Sequence, residues 1–402
     1  MPAPGPRPDV RLLDGDFYAG DPHPAFDWMR AHEPVYRDEA DGVWGVTRHA
    51  DVMRASKSPE LFCNRFSMRP DAPPVPSLIN LDDPAHKRRR NLVNRGFTPR
   101  SVAALEPRIR EIVTALIDAV AERGRCDFVA DLAAPLPLIV IGDLLGVRPE
   151  DRDDLLRWSD DLISGTSSSS PPEAAQAAMR AFEEYTAYNR RVVAERRARP
   201  RDDLVTALVQ AEIDGERLDD DEILHDSLLI LVGGDETTRH VITGGMEQLI
   251  RNPDQRQRLA EDPGLVPTAV EEMLRWVTPI QNMNRTATRD VELNGRRIRE
   301  GDKVLLLYGA ANRDEAVFRD PHVFDVGRRP NDHVAFGGYG AHFCMGAPLA
   351  RLELRVMFEE LLRRLPDLEL ADDAPLPRRS SNFITGIEAM PVVFEARAPG
   401  AP

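Results

Sequence analysis

Cysteine is scarce in this chain. Three residues in 402 are too few for a framework of disulfide bridges, as expected of a protein kept in a reducing compartment. Long apolar runs are missing too: none reaches the roughly 18 residues needed to span a bilayer. The Pro-rich start lacks the basic-then-apolar order of a secretory signal, so a cytoplasmic protein is expected. Positive charge is in deficit, with 52 Lys and Arg against 67 Asp and Glu for a net charge of -15, which argues against nucleic acid as a partner. No linker divides the chain either. One domain is expected over 10–397, between disordered Pro-, Ala- and Gly-rich tails at 1–9 and 398–402.

What is present concentrates in one stretch, His333 to Glu353. Gly337, Gly338 and Gly340 precede Cys344, and the Met-Gly-Ala-Pro-Leu-Ala-Arg run after it reads as the first turns of a helix. A sulfur on a tight loop at a helix N-terminus faces unpaired N–H groups and the positive end of the dipole, which favours thiolate over thiol. Such an anion needs a positive partner, and haem iron or a redox or nucleophilic role are the candidates. His342 is a base two residues away, but no C-x-x-C or H-E-x-x-H pattern accompanies it. Cys63 and Cys126 read as small buried hydrophobes.

Phe336, Gly340, His342, Cys344 and Gly346 resemble the haem-ligand loop of the cytochrome P450 family, the haem-thiolate monooxygenases. The Phe stands one residue further from the Cys than in most of the family, a longer loop like that of branches acting on sterol and methyl-branched lipid chains. The resemblance implies that Cys344 is the axial ligand of the iron in haem b. Other segments join it. Asp219-Asp220-Asp221 supplies capping oxygens for a helix to about Ile250, near thirty residues and so roughly 45 Å long. Two adjacent glycines in its middle, Gly233 and Gly234, cost roughly 2 kcal/mol relative to alanines, so a close approach or a local opening is expected there. Gly-Gly-Asp-Glu-Thr-Thr looks like the family's oxygen-activation motif, which would set Gly234 over the haem, with Glu236 as the acid and Thr237 as the alcohol that deliver protons for breaking the O–O bond.

His86 and Arg90 are four residues apart on one helix face, which alone reads as a solvated basic surface. The resemblance makes them propionate contacts, with Arg285 and His342 as further ones; His333 is a loop-stabilising residue. Lys87, Arg88, Arg89, Arg95, Arg100 and Arg355 would form a basic dock for a ferredoxin. Glu272 and Arg275 show a spacing that recurs elsewhere in the chain, but their place before the Cys loop, with Arg328 to join them, matches the family's structural lock. The Pro-rich loop Phe62 to Asp83 would contribute Met68, Val75 and Ile79 to a substrate pocket, the long helix Val232 and Gly233, and later segments Ile280, Asn282, Phe383 and Ile384. Ser164 to Pro172 reads as a soft connection between two lid helices.

The expected fold is mainly α with a smaller β region (α+β), with one haem between the long helix and the Cys loop. The expected reaction inserts one oxygen atom of O2 into a C–H bond of an apolar substrate, with electrons from NAD(P)H through a reductase and a ferredoxin to a monomeric enzyme. Runs such as LLILVGGDETTRH and NFITGIEAMPVVF look most similar to actinobacterial enzymes that oxidise the terminal methyl of the cholesterol side chain. Cholesterol or cholest-4-en-3-one is therefore the first substrate expected. A branched fatty acid or a polyketide or terpenoid natural product is the alternative, and a non-catalytic haem- or lipid-binding protein is the reading from a different class.

Overall fold

The frame of the molecule is a helix that its own sequence starts cleanly. In the computed structural model, which describes residues 6–165, 171–213 and 215–400, this central helix runs Asp220–Arg251. The Asp219 carboxylate accepts from the Glu222 N–H, and the Glu222 carboxylate accepts from the Asp219 N–H, a reciprocal capping box. Pro135–Leu144, Arg152–Ser164, Val266–Val277 and Ala347–Arg364 are among the helices that pack against it. The first of these is apolar on nearly every side, as a helix enclosed by neighbours must be.

The β region is a five-stranded sheet in the order Val35–Asp38, Val43–Val46, Lys303–Leu307, Asn282–Ala287, Phe62–Cys63. Only the pairing of Val43–Val46 with Lys303–Leu307 is parallel. Lys303–Leu307 lies inside the sheet, and after its lysine it is an unbroken buried apolar run, as a strand covered on both faces should be. Beside it, Val291–Leu293 and Arg296–Ile298 form a hairpin turned at Asn294 and Gly295, both at positive φ, as the Asn-Gly pair requires. The mainly α architecture with a smaller β region is thus as expected.

The tails depart from expectation. Arg7 is bonded to the Glu33 carboxylate and the Arg37 carbonyl and stacks over Tyr36, while the Gly400 N–H donates to Asp118, so both ends dock on the body as far as they are described. The two helices expected to form a lid are Arg152–Ser164 and Pro172–Ala198; positions 166–170 of the connection between them lie outside the described residues. Among the described residues no helix is long and apolar enough to cross a membrane.

Candidate functional site

The glycine loop takes its shape from what it touches. A Cβ on Gly340 would lie 1.8 Å from the Ser56 carbonyl and one on Gly338 2.3 Å from the Ser56 hydroxyl, so only glycine lets the loop lie on the helix His49–Lys57. Gly337 and Tyr339 take positive φ, and the Cys344 N–H returns to the Phe336 carbonyl at 3.0 Å. Cys344 therefore sits at the foot of the helix Ala347–Arg364, its side chain open to a cavity though deep in the protein. Burial pushes its thiol above the ordinary value, against the opposing pull of the Gly346 and Ala347 N–H groups and Arg90. Burial thus opposes the negative charge that the helix terminus favours.

That cavity is lined by Met68, Ile79, Ile280, Phe383 and Ile384 and by Val232, Gly233, Gly234 and Thr237 of the central helix. At one edge stand Arg90, Arg285 and His342. Burial drives the His342 imidazole down to about 2, helped by Arg285, His86 and Arg90. His86 sits one layer behind, its ring 4.0 Å from that of His342, with Nε2 buried and without a partner. Arg285 is buried and donates only to the adjacent Asn284 carbonyl. Arg90 reaches the carbonyls of Ala341 and Phe343. Neither arginine has an ion-pair partner among the described residues, an arrangement that calls for anionic carboxylates from elsewhere. Tyr308 joins this edge, and no signal in its sequence neighbourhood pointed to it.

Behind the cavity, Glu272 accepts two bonds from Arg275 and two from Arg328, all between 2.7 and 3.1 Å, and both arginines also reach backbone carbonyls of the segment Asn312–Val323. The three residues close a fully hydrogen-bonded buried cluster, as the order of motifs implied. His333 bonds Glu271, in keeping with a loop-stabilising role.

A Cytochrome P450 family profile matches residues 52–263 and 264–388. The chain belongs to the cytochrome P450 family. This P450 is 55% identical, over 98% of both chains, to the steroid C26-monooxygenase of Mycobacterium tuberculosis. It is 39% identical to the methyl-branched lipid omega-hydroxylase of Mycobacterium bovis, over 97% of this chain and 95% of that one. Its fold superposes on CYP109E1 from Bacillus megaterium in complex with testosterone with a TM-score of 0.85, at 35% identity over 94% of this chain and all of that one. The family carries haem iron and draws electrons from a redox partner. The residues present fit such a group: an open sulfur, apolar walls, and an edge of unpaired cations with an orphaned imidazole nitrogen.

Several expected placements in the P450 need correcting. Gly234 lines the cavity beside Gly233, but a Cβ on it would lie 2.7 Å from Ile141, whereas one on Gly233 would meet nothing within 4 Å. Val75 is exposed and outside the cavity wall. Asn282 is buried and bonded to Arg69. Glu236 does not line the cavity with Thr237: one of its oxygens accepts from Arg239 at 2.8 Å and Arg379 at 2.7 Å, while the other is buried and unpartnered. Burial opposes its charge, but His240, Arg239 and Arg379 outweigh that and hold the carboxyl well below the usual range. In the expected dock, Arg89 is buried against Asp226, Arg88 pairs with Glu216, and Arg355 pairs with Glu106 and Glu359. Lys87 and Arg100 remain exposed, and the Arg95 side chain lies outside the described residues.

Proposed function

We propose that this P450 hydroxylates the terminal methyl of a steroid side chain, with cholesterol or cholest-4-en-3-one as the substrate. The observation that carries this is the 55% identity, sustained over 98% of both chains, to a steroid C26-monooxygenase. A cavity lined mostly by apolar side chains, Leu, Ile, Phe, Met and Val among them, suits such a substrate, since an aliphatic tail gains from burial and has no polar group to satisfy. The likeness to a methyl-branched lipid omega-hydroxylase favours a second reading, a branched fatty chain oxidised at its end.

Bound haem would supply the iron at which dioxygen is activated and a C–H bond attacked. Cys344 would bind that iron, and Arg90, Arg285 and His342, with His86 behind them, would hold the propionates. Thr237 donates its hydroxyl proton to the Gly233 carbonyl at 2.9 Å, so its O–H has to turn about the Cβ–Oγ1 bond to offer that proton to the cavity. Glu236, held as a carboxylate by two arginines, would carry protons from solvent toward Thr237 only after loosening one of them. Electrons would come from NAD(P)H through a reductase and a ferredoxin, the latter meeting Lys87 and Arg100.

Titration of the ferric protein with cholest-4-en-3-one, branched fatty acids and macrolides tests the substrate. A water-displacing shift of the Soret band with the steroid alone is expected, and a shift with fatty acids alone transfers the assignment to the second reading. Turnover with a surrogate ferredoxin separates both from a non-catalytic binding protein. Reduced, CO-bound protein should absorb at the thiolate position, and Cys344→His should not.

A further inference from the structure

Part of the cavity lining, packed with Val232 of the central helix, comes from three segments far apart in sequence: the Pro-rich loop with Met68, the strand entry with Ile280 and Met283, and the C-terminal turn with Phe383 and Ile384. One side chain ties all three together. Arg69 is 2% exposed; its Nη1 donates to Asn282 Oδ1 at 2.8 Å and its Nη2 to Asn382 Oδ1 at 2.7 Å. The guanidinium lies 4.7 Å from the centre of the Phe383 ring, and Asp71 Oδ1 is 3.9 Å from its Nε. The asparagines are fixed in turn. Asn282 Nδ2 donates to the Asn382 carbonyl at 2.8 Å and to the Tyr18 hydroxyl at 3.2 Å, and Asn382 Nδ2 donates to the Leu13 carbonyl at 2.8 Å.

The register of these bonds matters more than their number. Arg69 follows Met68, Asn282 precedes Met283 and Asn382 precedes Phe383, so each partner in the knot is chain neighbour to a side chain on the cavity wall. Two amide oxygens and a planar fork with set angles fix the spacing of the three segments. Burial works against the arginine's charge, and an apolar side chain of similar volume would fill the space without that penalty. Packing alone therefore does not account for a guanidinium here.

We propose that Arg69 is a positioning residue for substrate selection: it sets the spacing of these three lining segments, and so decides which carbon of a long apolar substrate reaches the reacting centre. This rests on the steroid reading above, and the test separates the two. Haem-loaded Arg69→Met, Arg69→Lys and Asn382→Asp are compared with wild type for the reduced CO spectrum, imidazole affinity, cholest-4-en-3-one affinity and the distribution of hydroxylated products.

In Arg69→Met the CO spectrum should persist and imidazole affinity stay within about twofold, while steroid affinity falls about tenfold and products spread from the terminal methyl to neighbouring carbons. Arg69→Lys and Asn382→Asp should both lie between, the second keeping an acceptor oxygen for the guanidinium but losing the amide bond to the Leu13 carbonyl. Unchanged steroid affinity with a single product overturns the proposal, as does an equal loss of imidazole and steroid affinity, which a general loosening would give. Should Arg69→Met fail to retain haem, the product distribution of Arg69→Lys decides. A wild-type protein that ignores the steroid overturns the substrate reading instead, and the same comparison then runs on the lipid it does bind.

Discussion

Three consecutive residues of the central helix, Asp235, Glu236 and Thr237, have three different surroundings, because successive positions turn about 100° around the axis. Thr237 faces the cavity, and Glu236 faces Arg239 and Arg379. Thr237→Ala is expected to keep substrate binding and NAD(P)H consumption but to release hydrogen peroxide in place of product, with product formation down about a hundredfold for a lost proton-transfer step. Product and peroxide measured per NAD(P)H check this; wild-type coupling would leave the hydroxyl a purely structural group. Asp235 is wholly buried with both oxygens unpartnered, and burial, reinforced by Glu236, raises its carboxyl to about 8. Unfolded, it ionises near pH 4. Folding therefore takes up a proton between about pH 4 and pH 8, and stability contributed by this group falls as pH rises through that window, by at most about 1.4 kcal/mol per unit. Asp235→Asn should flatten the decline of Tm between pH 5 and pH 8, read from melts of the two proteins side by side.

At the scale of an element, the paired glycines of the central helix do different work. Gly234 touches Ile141 of the helix Pro135–Leu144, so an added methyl overpacks that crossing, whereas Gly233 has nothing within 4 Å. Gly234→Ala is expected to lose about 1 kcal/mol, the overpacking cost exceeding the gain in helix propensity, and Ile141→Val should restore it. Gly233→Ala should instead raise the stability of the haem-free protein by up to about 1 kcal/mol while narrowing the approach to the cavity. Denaturant midpoints of the three variants give the sign directly. The glycine loop shows the same logic in reverse: Gly338 and Gly340 are needed for contact with Ser56, not for a ligand.

For the whole molecule, the cavity edge is incomplete without an anion. Among the described residues Arg90 and Arg285 lack ion-pair partners, and His86 Nε2 has no hydrogen-bond partner. Haem that binds only the folded chain should therefore raise Tm as its concentration rises above its dissociation constant. The triple variant His86→Ala/Arg90→Ala/Arg285→Ala should lose haem to an excess of apomyoglobin at least about tenfold faster than wild type, two buried propionates having lost their charged donors. Equal transfer rates would show that the propionates are held elsewhere.

The sequence by itself determined what depends on neighbours along the chain. The capping box at Asp219, the Asn294-Gly295 turn, the glycine loop around Cys344 and the order of motifs that marks the family are all local, and each was legible without coordinates. The Glu272–Arg275–Arg328 lock was legible in part, from one helical spacing and the place of a later arginine. Only the tertiary structure decided which partners distant groups take. Arg379 is 143 residues from Glu236, and Arg69 is 213 from Asn282 and 313 from Asn382. Nothing in the residues around Arg89 distinguishes a surface cation from one buried on Asp226. Whether a charge is solvated, paired or orphaned depends on the dielectric and donors around it, and those are set by helices and loops that meet only when the chain has folded.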